Sequence, residues 1–295
     1  MDEIEELIKT EKMLIEYLIE GKFLMVDIGS NGGITCNPGK KLYRCNGVKY
    51  MYCDPRDNLE DGEENIKNKG KEIVINKAIS NTNGYSKFYL TKKGQVSSLQ
   101  EPNIQEIAKF DNPSRFEVQE VKEIPCTTLN DVMDKYGGEI DYLKIDVQGH
   151  ERYIIESASK LLEKSSPWIM IEMNNKSYYY GQDKFWALGE KIQSLGYETL
   201  DIFPKFNKYG TSSNVDGQCR VFTFADVLWK KKKVLKTRKK IKAEIAKYVA
   251  FGKLLTLESR LLINELNDPI VQKFVLKLIK FYKSGLAEAQ SEYIV

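Results

Sequence analysis

The chain has 295 residues, 42% of them hydrophobic and 29% charged, with a formal net charge of +3. That balance excludes a wholly disordered chain and suits a soluble protein large enough to bury a sizeable core. No stretch reaches the roughly 18 apolar residues that a membrane-spanning helix needs. The opening MDEIEELIKTEK is acidic at once, so neither a signal peptide nor a transmembrane segment is expected, and a cytoplasmic location is. The five cysteines, Cys36, Cys45, Cys53, Cys126 and Cys219, include no CxxC pair and read as reduced thiols without a metal site.

In chain order, Ile4, Leu7, Ile8, Leu14, Ile15 and Leu18 recur at helical spacing and predict a helix to about Glu20, stopped at Gly21. Phe23 to Ile28 is a short apolar run closed by Gly29, Ser30, Asn31, Gly32 and Gly33, the pattern of a strand buried on both faces. Similar runs follow at Val48 to Cys53, Ile73 to Ile79, Ile140 to Val147, Trp168 to Met173 and Tyr197 to Phe203. Helical patterns at Glu151 to Leu162 and Lys184 to Leu195 lie between them, which predicts a parallel sheet covered on both faces. Only the polar linker Pro204 to Gln218 separates Tyr197 to Phe203 from a strand at Arg220 to Ala225, so that pair is expected to be antiparallel.

Tyr85 to Thr91 and Phe116 to Cys126 read as strands around a polar stretch with Pro102 and Pro113. They predict an insertion over about 85–128 near the sheet's C-terminal edge, a position suited to substrate contacts. In the tail, one helix is expected from Lys230 to Phe251. Another starts at Pro269 with Asp268 as N-cap, carries the stripe Ile270, Val271, Phe274, Val275, Leu278, Ile279 and Tyr282, and stops at Gly285. The expected division is an N-terminal helix (1–22), an α/β domain (23–228) and a basic helical extension (229–295).

Charge is split along the chain. From Trp229 onward 16 Lys and Arg meet 6 Asp and Glu, and the remainder is mildly acidic. Such a tail implies an anionic partner or docking onto the body. A nucleic acid, an anionic membrane surface, and a solvated or self-associating helix face that would make a homodimer are the readings to weigh. Lysine dominates, with Arg238 alone between Lys230 and Lys242, and aromatic residues are sparse there, which weighs against nucleic acid.

Three motifs carry chemistry. Val26-Asp27-Ile28-Gly29-Ser30-Asn31-Gly32-Gly33 follows a buried strand, where glycines let the backbone turn and approach a ligand. Asp54 ends the next strand, and a carboxylate there can accept from ribose hydroxyls. The glycine spacing is not that of dinucleotide enzymes, and Pro38 and Gly39 interrupt the helix that would receive a pyrophosphate. A nucleoside ligand without phosphates fits better, with S-adenosylmethionine the candidate. Third, Ile140 to Glu151 (IDYLKIDVQGHE) is a buried strand ending in a polar cluster. Lys144 and Asp146 share one face by the period of two, and His150 is the single histidine of the chain.

VDIGSNGG at Val26 to Gly33, CDP at Cys53 to Pro55, NKAIS at Asn76 to Ser80 and SSL at Ser97 to Leu99 occur in this order. TTLNDVM at Thr127 to Met133, IDYLKIDVQGHE at Ile140 to Glu151 and IMIEMN at Ile169 to Asn174 complete the series. Together, over roughly Phe23 to Ala225, they resemble the FkbM-type S-adenosylmethionine-dependent methyltransferases. The resemblance implies an α/β class I methyltransferase (Rossmann-like) fold: a seven-stranded, mostly parallel sheet with helices on both faces, here followed by the basic helical extension.

It further implies O-methylation of a small-molecule or glycan acceptor, sugars first. By carry-over Asp27, Gly29, Ser30, Asn31 and Gly33 surround the methionine part, Asp54 the ribose, Ala78 the adenine, and Asp146 the sulfonium or the acceptor. His150 is the first choice of general base and Asp146 the second, with Lys144 orienting it. Glu172, read as ending its strand, and Ser98 are expected to bind the acceptor. No metal is expected. The sequence departs from the family pattern at Asp54 and Gln148, where glutamate is usual, and at Thr35 to Lys41. Two alternatives remain: an RNA ribose 2′-O-methyltransferase that holds RNA with its tail, and an inactive methyltransferase-fold interaction module.

Overall fold

The structure is a computed structural model that describes residues 2–20, 23–30, 39–55, 64–67, 71–110, 112–208, 220–231, 235 and 237–284. The elements begin with helix α1 (Asp2–Ile19), strand β1 (Phe23–Ile28), α2 (Gly39–Tyr43), β2 (Val48–Cys53), β3 (Glu64–Lys67), β4 (Glu72–Ile75), β5 (Ala78–Ser80) and β6 (Gly84–Thr91). There follow α3 (Ile104–Ile107), β7 (Val118–Thr128), α4 (Leu129–Tyr136), β8 (Tyr142–Ile145), α5 (Glu151–Ser157), α6 (Ser159–Ser165), β9 (Trp168–Asn174) and α7 (Phe185–Ser194). The last are β10 (Tyr197–Lys208), β11 (Arg220–Lys231), α8 (Arg238–Ala250), α9 (Leu257–Leu266) and α10 (Pro269–Lys283).

Sheet order is β10-β11-β9-β8-β1-β2-β4-β3. The first seven make the expected seven-stranded frame, and the short β3 adds an antiparallel eighth at the edge beside β4. β8 and β9 are parallel, whereas β11 is antiparallel to both β9 and β10, as the missing helix between β10 and β11 required. By its contacts the chain divides into two units, Met1–Met25 with Ile34–Tyr50 and Lys233–Val295, and Val26–Gly33 with Met51–Lys232.

The first unit is mainly helical, with α1 packed on α8 and α10, and α8 on α9. Helix α10 begins as expected. The Asp268 carboxylate accepts from the Ile270 and Val271 amides at 3.0 and 3.3 Å, with Pro269 in the first turn. The helix expected from Lys230, however, begins only at Arg238, where the Thr237 hydroxyl accepts from the Lys240 amide. Lys230 and Lys231 instead finish β11, because they pair with Glu198 and Tyr197 of β10. Nor is α8 a solvated basic face. Lys242 and Lys247 are buried: Lys242 pairs with Glu20 at 2.7 Å over the Tyr17 ring, and Lys247 with Glu244 at 2.6 Å. Lys277 of α10 pairs with Glu6, and the Tyr282 hydroxyl donates to Glu11. Part of the tail's charge is thus met by the acidic N-terminal helix.

In the second unit the apolar run Ile73 to Ile79 breaks at Asn76, so β4 joins the main sheet while β5 pairs in parallel with β7 in a separate sheet β5-β7-β6. The expected insertion is built on the antiparallel pair β6 and β7. Val96, Ile107, Phe110 and Phe116 pack around Tyr178 and Tyr179. Main-chain bonds from Asn103 to the Tyr178 carbonyl (2.7 Å) and from Tyr180 to the Glu101 carbonyl (2.9 Å) tie the insertion to the segment after β9. The helix expected over Glu151 to Leu162 is two helices that turn at Ala158, where the Ser157 hydroxyl bonds back to the Ile154 carbonyl and competes with the helical ladder.

Candidate functional site

Four adjacent strands end level with one another. The Asp146 amide donates to the Ile28 carbonyl (3.0 Å), the Gly29 amide to the Cys53 carbonyl (2.9 Å) and the Asp54 amide to the Ile75 carbonyl (3.2 Å). Each first residue beyond β8, β1, β2 and β4, namely Asp146, Gly29, Asp54 and Asn76, therefore stands along one carboxyl edge. In open α/β sheets this edge is where ligands bind. Gly29 has φ +83°, and a Cβ built on it would come within 1.8 Å of the Asp146 carbonyl oxygen. Only glycine lets these two strand ends meet so closely.

Lys144 and Asp146 share a face as expected. The Lys144 ammonium lies 3.3 Å from Asp146 Oδ2 and 3.6 Å from Asp27 Oδ1, and Asp27 is fully buried within β1. Asp54 is buried beside the neighbouring strand end. Two buried atoms nearby, Ser30 Oγ and Asn76 Oδ1, have no hydrogen-bond partner among the described residues. Buried polar atoms are rarely left unpaired, so these fit a ligand carrying its own donors and acceptors. Ala78 is buried in β5, while Asn31 and Gly33 lie outside the described residues.

Carboxylates crowd the part of the edge past β8. Gln148, at φ +56°, donates through Nε2 to Asp146 Oδ1 (2.8 Å) and Glu172 Oε1 (3.2 Å). Glu172 does not end its strand: two residues of β9 follow it, and Asp226 of β11 is its cross-strand partner. The sequence placed it wrongly because the polar residues after it, Asn174 and Asn175, still belong to the ladder end and the turn. Burial first, then the nearby Asp146, Glu151 and Asp226, hold the Glu172 carboxyl well above the usual carboxylate range. Burial and then Asp146 raise Asp226 as well. Burial pushes Glu151 up to about 7, although its Oε1 accepts from the Val147 and Gly149 amides at 3.1 Å each.

Both His150 ring nitrogens are engaged. The Gln100 side-chain amide donates to Nδ1 (2.8 Å), so the ring proton sits on Nε2 and goes to Ser80 Oγ (3.0 Å). The ring is buried and stacked on Tyr153 at 4.5 Å, and burial, then Arg152, lowers its pKa to about 4. Ser98 also serves the frame: its hydroxyl donates to the Gln148 carbonyl (2.7 Å) and accepts from the Gln100 amide (2.9 Å).

The sequence alone did not single out Asn76, Tyr179 or Asp226, and it marked Gln148 only as a departure from the family pattern. Asn76 and Gln148 lay inside quoted motifs, and Asp226 was legible as a lone charge within an apolar strand. Nothing local marked Tyr179, whose hydroxyl lies 3.2 Å from Gln148 Oε1. Among the described residues no group of three or more His, Cys, Asp and Glu is arranged to hold a metal. Cys45, Cys53 and Cys126 are buried, and no described helix is long and apolar enough to cross a membrane.

Compared with known proteins, the chain matches the model of the methyltransferase FkbM domain over residues 27–199. No curated protein matched it. Among solved structures, a methyltransferase FkbM from Methylobacillus flagellatus KT is similar at 12% identity and a TM-score of 0.35, over 70% of this chain and 44% of that one. The chain thus spans less than half the length of that solved relative.

Proposed function

The chain belongs to the methyltransferase FkbM domain family, and on that premise we propose that it is an S-adenosylmethionine-dependent O-methyltransferase acting on a hydroxyl of a small molecule or glycan, sugars being the first class to test. The observation that carries the reading is the level carboxyl edge of β8, β1, β2 and β4. It gathers the Gly29 turn, the buried Asp54 carboxylate, and Ser30 Oγ and Asn76 Oδ1, which have no partner among the described residues.

S-adenosylmethionine, when bound, supplies a methyl group already activated by its sulfonium. Asp54 is assigned to the ribose hydroxyls, Asn76 and the adjoining Ala78 to the adenine, and Gly29, Ser30 and Asp27 to the methionine part, with Asn31 and Gly33 completing that turn. Lys144 holds Asp146 through its ammonium. Asp146 is the proton acceptor for the hydroxyl. His150, the other candidate, has both nitrogens committed, and its role is to fix Gln100 and Ser80 around the start of α5. Glu172 and Ser98 border the acceptor side. A positioned base contributes about 10²–10⁴-fold and alignment of donor and acceptor the larger share.

The test is thermal unfolding with S-adenosylmethionine and S-adenosylhomocysteine, followed by a panel of methyl glycosides read by S-adenosylhomocysteine release. Saturation near 100 times Kd adds about 2.7 kcal/mol, a rise of roughly 5–10 °C for a domain of this size. Asp54→Ala should abolish it. Folded protein that shows no rise with either ligand ends the methyltransferase reading in favour of a binding module.

A further inference from the structure

We propose that Gln148 is a positioning residue whose neutral amide donates to Asp146 and Glu172 at once and holds the two carboxyl groups side by side. The catalytic meaning of this role rests on the methyl transfer proposed above; the pairing itself does not. Gln148 takes the left-handed conformation (φ +56°), which a residue with a long side chain keeps only when its surroundings impose it. Ser98 grips its carbonyl at 2.7 Å. At the side chain, the Tyr179 hydroxyl gives its one proton to the Val96 carbonyl (2.8 Å) and lies 3.2 Å from Gln148 Oε1, so the amide's orientation is set on its other side, where carboxylate oxygens accept. The amide nitrogen is thereby turned onto two carboxylates at once.

The surroundings make that donation matter. Around Glu172 and Asp146 stand Glu151 from α5 and Asp226 from β11, with Asp27 from β1 on the far side of Lys144. Lys144 is the near cation; Lys205 of β10 faces Asp226. Among the described residues one other side chain donates to Glu172: Asn174 Nδ2, 3.2 Å from the same Oε1. A neutral donor that touches both carboxylates stabilises negative charge without adding a charge of its own.

Gln148→Glu tests the amide directly, since it keeps length and shape and replaces the donor by an acceptor. Carboxyl-carbon NMR titration of the full chain without ligand, with resonances assigned through Asp146→Asn and Glu172→Gln, reads the effect. The Glu172 midpoint should rise by about one pH unit or more in Gln148→Glu, with the fold intact by circular dichroism. Gln148→Asn tolerates the left-handed backbone but is too short to touch both carboxylates, and a smaller rise is expected. If Gln148→Glu does not fold, that variant decides. A Glu172 midpoint unmoved in a folded variant overturns the proposal. Calorimetry of wild-type protein with S-adenosylmethionine runs beside it: absent binding there removes the methyltransferase reading, while the titration still decides the role of Gln148.

Discussion

Charge is used in opposite ways in the two units. In the helical unit acids and bases are matched one to one: Lys242 with Glu20, Arg238 with Asp268, Lys41 with Glu11, Lys277 with Glu6. Along the sheet of the other unit, Asp27 and Asp146 share Lys144, and Asp146, Glu151 and Asp226 crowd Glu172. Matched pairs leave carboxyls low, as at Glu20 and Asp268, whereas crowding in a buried place lifts them, as at Glu172. A fold gains nothing in stability from such crowding, so the contrast itself marks the edge as the working part of the molecule.

The sharpest way to break the edge is Gly29→Ala. A methyl group there meets the Asp146 carbonyl at 1.8 Å in a left-handed backbone, and a loss of about 4 kcal/mol or more is expected in urea unfolding. Next is Lys144→Met, which strips the buried Asp27 and the adjacent Asp146 of their shared cation. Breaking a buried pair in this way costs about 3 kcal/mol or more, and the same denaturation experiment measures it.

Titration gives a third, smaller effect with two opposed signs. Glu151 is raised to about 7, so the folded chain keeps a proton that the unfolded chain loses in the ordinary carboxylate range. Its contribution is present at low pH and lost as pH climbs to about 7. His150 is lowered to about 4, so the folded chain refuses a proton that the unfolded chain takes up below its ordinary 6.5. Its contribution is present above that value and lost as pH falls toward 4. Stability measured from pH 4 to 7 should therefore lose its falling component in Glu151→Gln and its rising component in His150→Gln, each by at most about 3 kcal/mol. A slope unchanged in both variants would show that neither group titrates as placed.

At the other end of the scale, Lys277→Ala removes an ion pair in which both side chains are nearly half exposed. No change in urea midpoint is expected at physiological salt. A clear loss there would mean that the helical unit depends on its surface pairs more than its apolar contacts suggest.

Much of the fold was legible. The runs at Phe23, Val48, Trp168 and Tyr197 became β1, β2, β9 and β10, and Asp268 and Pro269 do start the last helix. The misreadings have a common form. Ile73 to Ile79 looked continuous, but two sheets divide it between them; Lys230 and Lys231 looked helical, but a neighbouring strand recruits them. At the edge, Lys144 and Asp146 could be placed together from their spacing. Glu172 could not be set against Asp226, nor Tyr179 against Gln148, because those neighbours come from remote parts of the chain.

What the sequence by itself determined is whatever depends on local period and local chemistry: alternating strands and helices, a glycine turn after β1, a carboxylate after β2, and a lysine and an aspartate on one face of β8. Only the tertiary structure decided which strand ends stand level, which lysines are buried among acids, and that His150 has both nitrogens committed. Those outcomes depend on distances between residues far apart in the chain. Pairing, burial and the resulting shifts in proton affinity arise only when the sheets and helices have packed.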